Sequence, residues 1–220
     1  MFYIVFFVII DNMASQQNIV PKESRKGLVA RADRLIGSQA VDKILANNAY
    51  QWAVDGLGNN LFSLVFALNE HYIAGLSITD TLKARATAFF GNMVVGRPYT
   101  WFRDQVFKKV GITEKSSIFK KAVTETLSFA VGQAPIYAGY LIAATAGYEA
   151  ARDIVHGNYD AALDAFRHID WKRIGAGATT LTIFSPLYGP GQGYVQDVVR
   201  HQCGLKSAAE RTKKSIEDKI

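Results

Sequence analysis

The stretch SPLYGPGQGYVQD, residues 185–197, holds three glycines and two prolines in thirteen residues. It admits two readings. A glycine-rich loop that cradles phosphate needs a strand before it and a free helix N-terminus after it. A slim helix face that lets a second helix approach closely needs small residues four apart. Here the stretch ends an apolar run, 174–184, and leads into Arg200 and a basic tail. Gly189 and Gly193 are four apart, and they share a ridge with Gly175, Thr179 and Thr182 at helical spacing. The sequence therefore predicts a kinked, close-packing end of a membrane helix and excludes a nucleotide loop.

Working outward from it, the chain divides into polar ends and four apolar blocks. A mean hydropathy of +0.04 conceals this division. The blocks are 50–76, 84–102, 122–148 and 174–199, each of a length that crosses about 30 Å of hydrocarbon as a helix. Aromatic residues such as Trp52, Tyr72, Tyr99, Trp101, Tyr148 and Trp171 lie near block ends, where an interface belt is expected.

The net charge of +6 is explained by topology. Six basic residues precede the first block (Lys22, Arg25, Lys26, Arg31, Arg34, Lys43). Six lie between the second and third (Arg103, Lys108, Lys109, Lys115, Lys120, Lys121), and six follow the fourth (Arg200, Lys206, Arg211, Lys213, Lys214, Lys219). The two intervening loops share only Lys83, Arg85, Arg152, Arg167, Lys172 and Arg173. This alternation is the positive-inside pattern of four spans with both termini in the cytoplasm, and it needs no nucleic acid. The expected fold class is thus an all-α integral membrane bundle of four transmembrane helices. An N-terminal polar and basic extension (1–48) carries an amphipathic helix over 22–47, the bundle occupies 49–205, and a basic cytoplasmic tail fills 206–220. The apolar run MFYIVFFVII is too short to span a bilayer. Residues 1–12 are read either as a surface anchor or as an upstream extension absent from the mature protein. One cysteine, Cys203, and four scattered histidines give no disulfide framework and no metal or cofactor site.

Polar residues inside the blocks line up. Asp55, Asn59, Asn69 and Glu70 fall on one stripe of the first span with Phe62 and Phe66. Arg85, Asn92, Gly96, Tyr99 and Arg103 share a face of the second. Glu125, Ser128, Gly132 and Gly139 share one in the third, with Gln133 beside it. A carboxylate in hydrocarbon costs about 2.5–3.5 kcal/mol or more, so it pairs, titrates or lines a polar path. Asp55 is one turn inside its span, and an interfacial role stays open for it. Glu125 and Asp197 are near enough to span ends to reach interfacial water, and Arg85 and Arg103 are expected to snorkel to headgroups. Arg97 is the natural partner for an acid on another helix. Pro98, Pro135, Pro186 and Pro190 interrupt three spans, which a polar bundle interior can accommodate.

Taken together, RPYTWFRD (97–104) with Arg85 and Asn92 upstream, GQAPIY (132–137) with Glu125 before it, and GPGQGYVQDVVR (189–200) resemble the bacterial L-alanine exporter family of small four-span inner-membrane proteins. The resemblance covers about residues 53–205. It implies export of L-alanine or a similar small amino acid, driven by the proton motive force and carried out by a homo-oligomer. It also implies a GxxxG packing motif at Gly189 and Gly193, helix breaks at Pro98 and Pro135, and intramembrane positions Asp55, Glu70, Asn92, Gln133 and Asp197. The longer N-terminal segment, the enlarged loop 149–170 and the extra Pro186 and Pro190 depart from the family pattern. On residue chemistry, a zwitterionic substrate needs a cation and an anion, and Arg97 with Asp55 or Glu70 supplies them. Asn92 and Gln133 are placed to hydrogen-bond the substrate or orient those charges. Two rivals remain at this point: an integral-membrane enzyme acting on a lipid-linked substrate, and a scaffold that transports nothing.

Overall fold

A computed structural model of the chain describes residues 19–25 and 27–217; the apolar run at 1–12 lies outside the described residues, as do Lys26 and Lys219. Among the described residues the regular structure is helical, with one isolated antiparallel bridge between Ile19 and Leu205.

The N-terminal segment is not the single helix expected over 22–47. It forms a 3-10 turn, Lys22–Ser24, then α1 (Gly27–Ile36) and α2 (Ser38–Ala46). Gly37 separates the two helices at φ 85°, a conformation that costs glycine little and other residues more. The pair is amphipathic all the same. Val29, Val41 and Leu45 form a small core, while Leu28, Leu35 and Ile36 are exposed.

Asn47 then caps α3 (Asn48–Ser63), its side chain accepting from the Ala49 N–H at 2.8 Å. The first predicted span is not one regular helix. After a turn at Leu64 and Val65 it continues as Phe66–Leu68 and a π-helical turn, Asn69–Ile73. Ser77 caps α4 (Ile78–Val110), which runs through Pro98 without a break and stops at Gly111, φ 69°. Ser117 opens α5 (Ile118–Val155), a long helix interrupted by π turns at Phe129–Gln133 and Ala143–Gly147. Pro135 sits in the first turn after the first π segment, where its missing N–H is tolerated. The loop 149–170 contributes the end of α5 and α6 (Tyr159–Arg167).

The fourth predicted span is two helices, α7 (Trp171–Ile183) and α8 (Ser185–Gln202), divided at Phe184. Pro186 therefore opens a helix instead of kinking one, while Pro190 lies inside α8. This division splits the small-residue ridge. Gly189 and Gly193 are buried, but Gly175, Thr179 and Thr182 face outward. The chain closes with α9 (Ala208–Glu217), which packs on α4 through Arg211, whose Nε donates to Asp104 at 2.7 Å.

By length and composition, one helix among the described residues, α5, is long and apolar enough to cross a membrane; Ile174–Ile183 is a shorter apolar helix. Several polar side chains of the other helices are nevertheless buried. Arg103 and Arg200 are 0% and 1% exposed, whereas Phe90 and Leu187 are 71% and 68% exposed. Arginines are rarely buried so completely unless they are paired, and both of these are.

Candidate functional site: a polar column inside the bundle

α3 packs against both α4 and α8, and α8 also packs against α5. The approach of α3 to α4 is set by glycines. A Cβ on Gly96 would stand 2.7 Å from the Gly56 backbone nitrogen, so the two helices touch backbone to backbone. Arg97 follows Gly96, and this contact brings its guanidinium to Asp55.

Asp55 is 1% exposed and holds two cations. One oxygen accepts from Arg97 Nη1 at 3.0 Å, and the other accepts from Arg200 Nη1. Arg97 Nη2 donates to Gln51 Oε1 at 2.8 Å, and Gln51 Nε2 donates to the Leu45 carbonyl at 2.9 Å. Three helices thus meet at one carboxylate.

One turn further along α3, Asn59 Oδ1 accepts from Gln192 Nε2 at 2.9 Å and from Gln196 Nε2. Gln133 joins at the margin, its Oε1 lying 3.5 Å from Gln192 Nε2. Asn92 belongs to a neighbouring group. Its Nδ2 donates to Asn60 Oδ1 at 3.0 Å, and its Oδ1 accepts from Tyr140 Oη at 3.0 Å.

Beyond the carboxamides, rings close the column. Phe66 stands edge-on to Phe62, Tyr137 and Tyr188, with centroids 5.5, 5.6 and 5.6 Å away, and Phe129 lies at 6.0 Å. The Arg85 guanidinium carbon lies 5.9 Å from the centroid of the Phe66 ring. Arg85 Nε donates to Glu70 Oε2 at 2.8 Å, and Glu70 is 0% exposed. The π turn at Asn69–Ile73 turns both Asn69 and Glu70 inward. Asn69 Nδ2 donates to the Tyr137 hydroxyl at 3.1 Å.

A second ion cluster surrounds Arg103. Its Nε donates to Glu125 Oε2 at 2.9 Å, and its two terminal nitrogens reach Asp197 at 2.9 and 3.0 Å. The expectation that Arg85 and Arg103 snorkel outward is overturned, because each is turned inward to a carboxylate. Glu125 is buried for the same reason. Gly189 and Gly193 lie directly over it. A Cβ on Gly189 would stand 2.7 Å from the Glu125 carbonyl oxygen, and one on Gly193 would collide with the Glu125 carboxylate. The GxxxG face of α8 is thus occupied by α5 of the same chain.

The structure brings Asp55 and Arg97 together and places Gln133 next to the same column. Glu70 is held apart from Asp55 by the Phe66 cluster, and Asp197 belongs to the Arg103 cluster. Sequence reasoning missed Arg200, Gln192 and Gln196. Their four-residue spacing was visible, but the glycine ridge one position over drew the assignment.

The all-α fold, with one helix long and apolar enough to cross a membrane and ion pairs buried in its interior, points to the class of helical membrane proteins. Within that class, residues 46–163 match the family described as AlaE, L-alanine exporter, and the chain belongs to this family. A protein of Cereibacter sphaeroides named L-alanine exporter AlaE is 31% identical over 90 residues, 41% of this chain and 64% of that protein, which is just under two thirds of its length. Proteins of the same name from Citrobacter koseri and Salmonella arizonae are 23% and 25% identical over 138 and 140 residues, in each case 63% of this chain and 76% of theirs. No solved structure matches. The family match contains Asp55, Glu70, Asn92, Arg97 and Gln133, and ends before α7 and α8.

Proposed function

We propose that this chain exports L-alanine or a similar small amino acid across the inner membrane, driven by the proton motive force. The family and the names of its relatives support the substrate class. The observation that carries the reading is Asp55, fully buried and shared by Arg97 and Arg200 inside a bundle with many large apolar side chains on its outside. Such a site offers a zwitterion both of the charges it needs. The guanidinium groups can take the substrate carboxylate, and Asp55 keeps the cluster from carrying an unbalanced positive charge.

In this reading 50–76, 84–102, 122–148 and 174–199 are the four spans of a bundle over 49–205, and 1–48 and 206–220 lie in the cytoplasm. The Asp55 and Arg103 clusters occupy the cytoplasmic half. Phe66 and its ring partners separate them from Glu70 and Arg85 on the far side. Asn92 and Gln133 orient the column. Glu70, with a single cationic partner, is the carboxylate best placed to exchange that partner for a proton, which couples substrate movement to the gradient. Pro98 and Pro135 each remove one backbone donor from a continuous helix, and α4 and α5 flex at these points as the column opens. The exporter works as a homo-oligomer, and because α5 covers Gly189 and Gly193, subunits meet through another surface.

Efflux of a panel of labelled amino acids from proteoliposomes tests the reading. L-alanine and glycine should leave faster than leucine or phenylalanine, and unchanged retention of all of them would overturn it.

A further inference from the structure

Four polar atoms inside the column have no hydrogen-bond partner, and they lie on two facing helix rows. One row is Asp55 and Asn59 on α3. The other is Gln192, Gln196 and Arg200 on α8, spaced so that each stacks on the next. Asn59, Gln192, Gln196 and Arg200 are each 1% exposed. Asn59 Oδ1 already takes both glutamine amides. Asn59 Nδ2, Gln192 Oε1, Gln196 Oε1 and Arg200 Nη2 are left buried and unpartnered. Arg200 commits its other nitrogens, Nη1 to Asp55 and Nε to the Lys206 carbonyl at 2.8 Å.

Reorienting the amides does not remove the shortfall. Turning Asn59 alone sets its N–H groups against two other amide N–H groups, and turning all three leaves the same positions unpaired with donor and acceptor exchanged. Among the described residues seven buried side-chain atoms lack a partner, and four of them gather here. Buried polar groups are nearly always paired, so such a concentration marks a place that something else fills.

We propose that Asn59, Gln192, Gln196 and Arg200 form the site that grips the head of an α-amino acid. The substrate carboxylate accepts from Arg200 Nη2 and Asn59 Nδ2, and its ammonium donates to the Gln192 and Gln196 oxygens. Asp55, one turn away, fixes Arg200 by accepting from its Nη1. The inference rests on the exporter reading and names the groups that read the substrate. Phe62 lies on the next turn of α3, and a Cβ on Gly191 would stand 3.1 Å from its ring, so room beside the head group is small. α3 and α8 are closed over the site, since a Cβ on Gly58 would stand 3.3 Å from Gln196 Cα. Substrate is therefore admitted by parting these two helices.

The test is counterflow of labelled L-alanine in proteoliposomes carrying the full chain, with L-lactate and L-alaninamide as competitors. L-lactate lacks the ammonium and L-alaninamide lacks the carboxylate. In the natural protein both should compete about tenfold or more weaker than L-alanine, the loss of charge-assisted hydrogen bonds. Gln192→Met and Gln196→Met keep the side-chain volume and remove the amide, both its acceptor and its donor to Asn59. Each should raise the half-saturating L-alanine concentration about tenfold and weaken discrimination against L-lactate. Absence of L-alanine counterflow in the natural protein would overturn the exporter reading itself. Active counterflow with unchanged half-saturation and discrimination in both variants would overturn this site alone. If neither variant reaches the membrane, equal competition by the three ligands in the natural protein still overturns it.

Discussion

Arg97 on α4 donates to Asp55 on α3 at 3.0 Å, across a contact where Gly96 and Gly56 meet backbone to backbone. Arg200 holds the other oxygen of the same carboxylate. Removing the anion leaves two buried guanidiniums with no counter-charge, and breaking a buried pair costs about 3–5 kcal/mol. Asp55→Asn should therefore lose export and also melt well below the natural protein in detergent. Asp55→Asn combined with Arg97→Gln should recover part of the stability and none of the export. Thermal melting and L-alanine flux check both statements, and normal export by Asp55→Asn contradicts the site.

Glu70 behaves differently. Arg85, its partner, keeps 12% of its side chain exposed and leans on Phe66, so it can be resolvated when the acid is neutralised. Glu70→Gln should cost about 1–3 kcal/mol, leave the protein in the membrane, and uncouple L-alanine movement from the proton gradient. Coupled export by this variant removes Glu70 from the mechanism.

The two seam glycines should differ in kind. At Gly189 an added methyl meets the backbone of α5, which cannot yield locally, so Gly189→Ala should already destabilise by about 1–3 kcal/mol. At Gly193 the methyl meets the Glu125 side chain, which can swing away only by releasing Arg103. Gly193→Ala should then be partly rescued by Glu125→Gln, whereas Gly189→Ala should not. Melting temperatures of the four proteins measure this.

Much of the column could be read from spacing. The stripe Asp55, Asn59, Phe62, Phe66, Asn69 and Glu70 is buried throughout, although the helix beneath it changes form at Leu64. Helical periodicity carries such a stripe across one irregular turn. Partner choice was less legible. Arg85 and Arg103 stand near span ends, where a long side chain can reach water, and sequence holds no record that a carboxylate on another helix lies closer. The helix division at Phe184 was also hidden, because Pro186 and Pro190 are equally consistent with a kink and with a new first turn.

Cys203 reports sidedness. It follows α8, outside the proposed spans, and burial pushes its thiol above the usual range although Arg200 and the Tyr50 contact oppose the shift. A raised thiol holds less thiolate at neutral pH, so maleimide labelling should be slow there and accelerate at more alkaline pH than for an exposed cysteine. With the C-terminus in the cytoplasm, a membrane-impermeant maleimide should label inverted vesicles and spare right-side-out cells. The reverse pattern would contradict the proposed topology.

The most direct measurement is L-alanine flux in proteoliposomes of the natural chain under an imposed pH gradient. The account predicts that L-alanine moves against its own concentration gradient while the pH gradient lasts, and that a protonophore stops it. L-alanine flux that ignores the pH gradient, or that does not exceed protein-free liposomes, would contradict it.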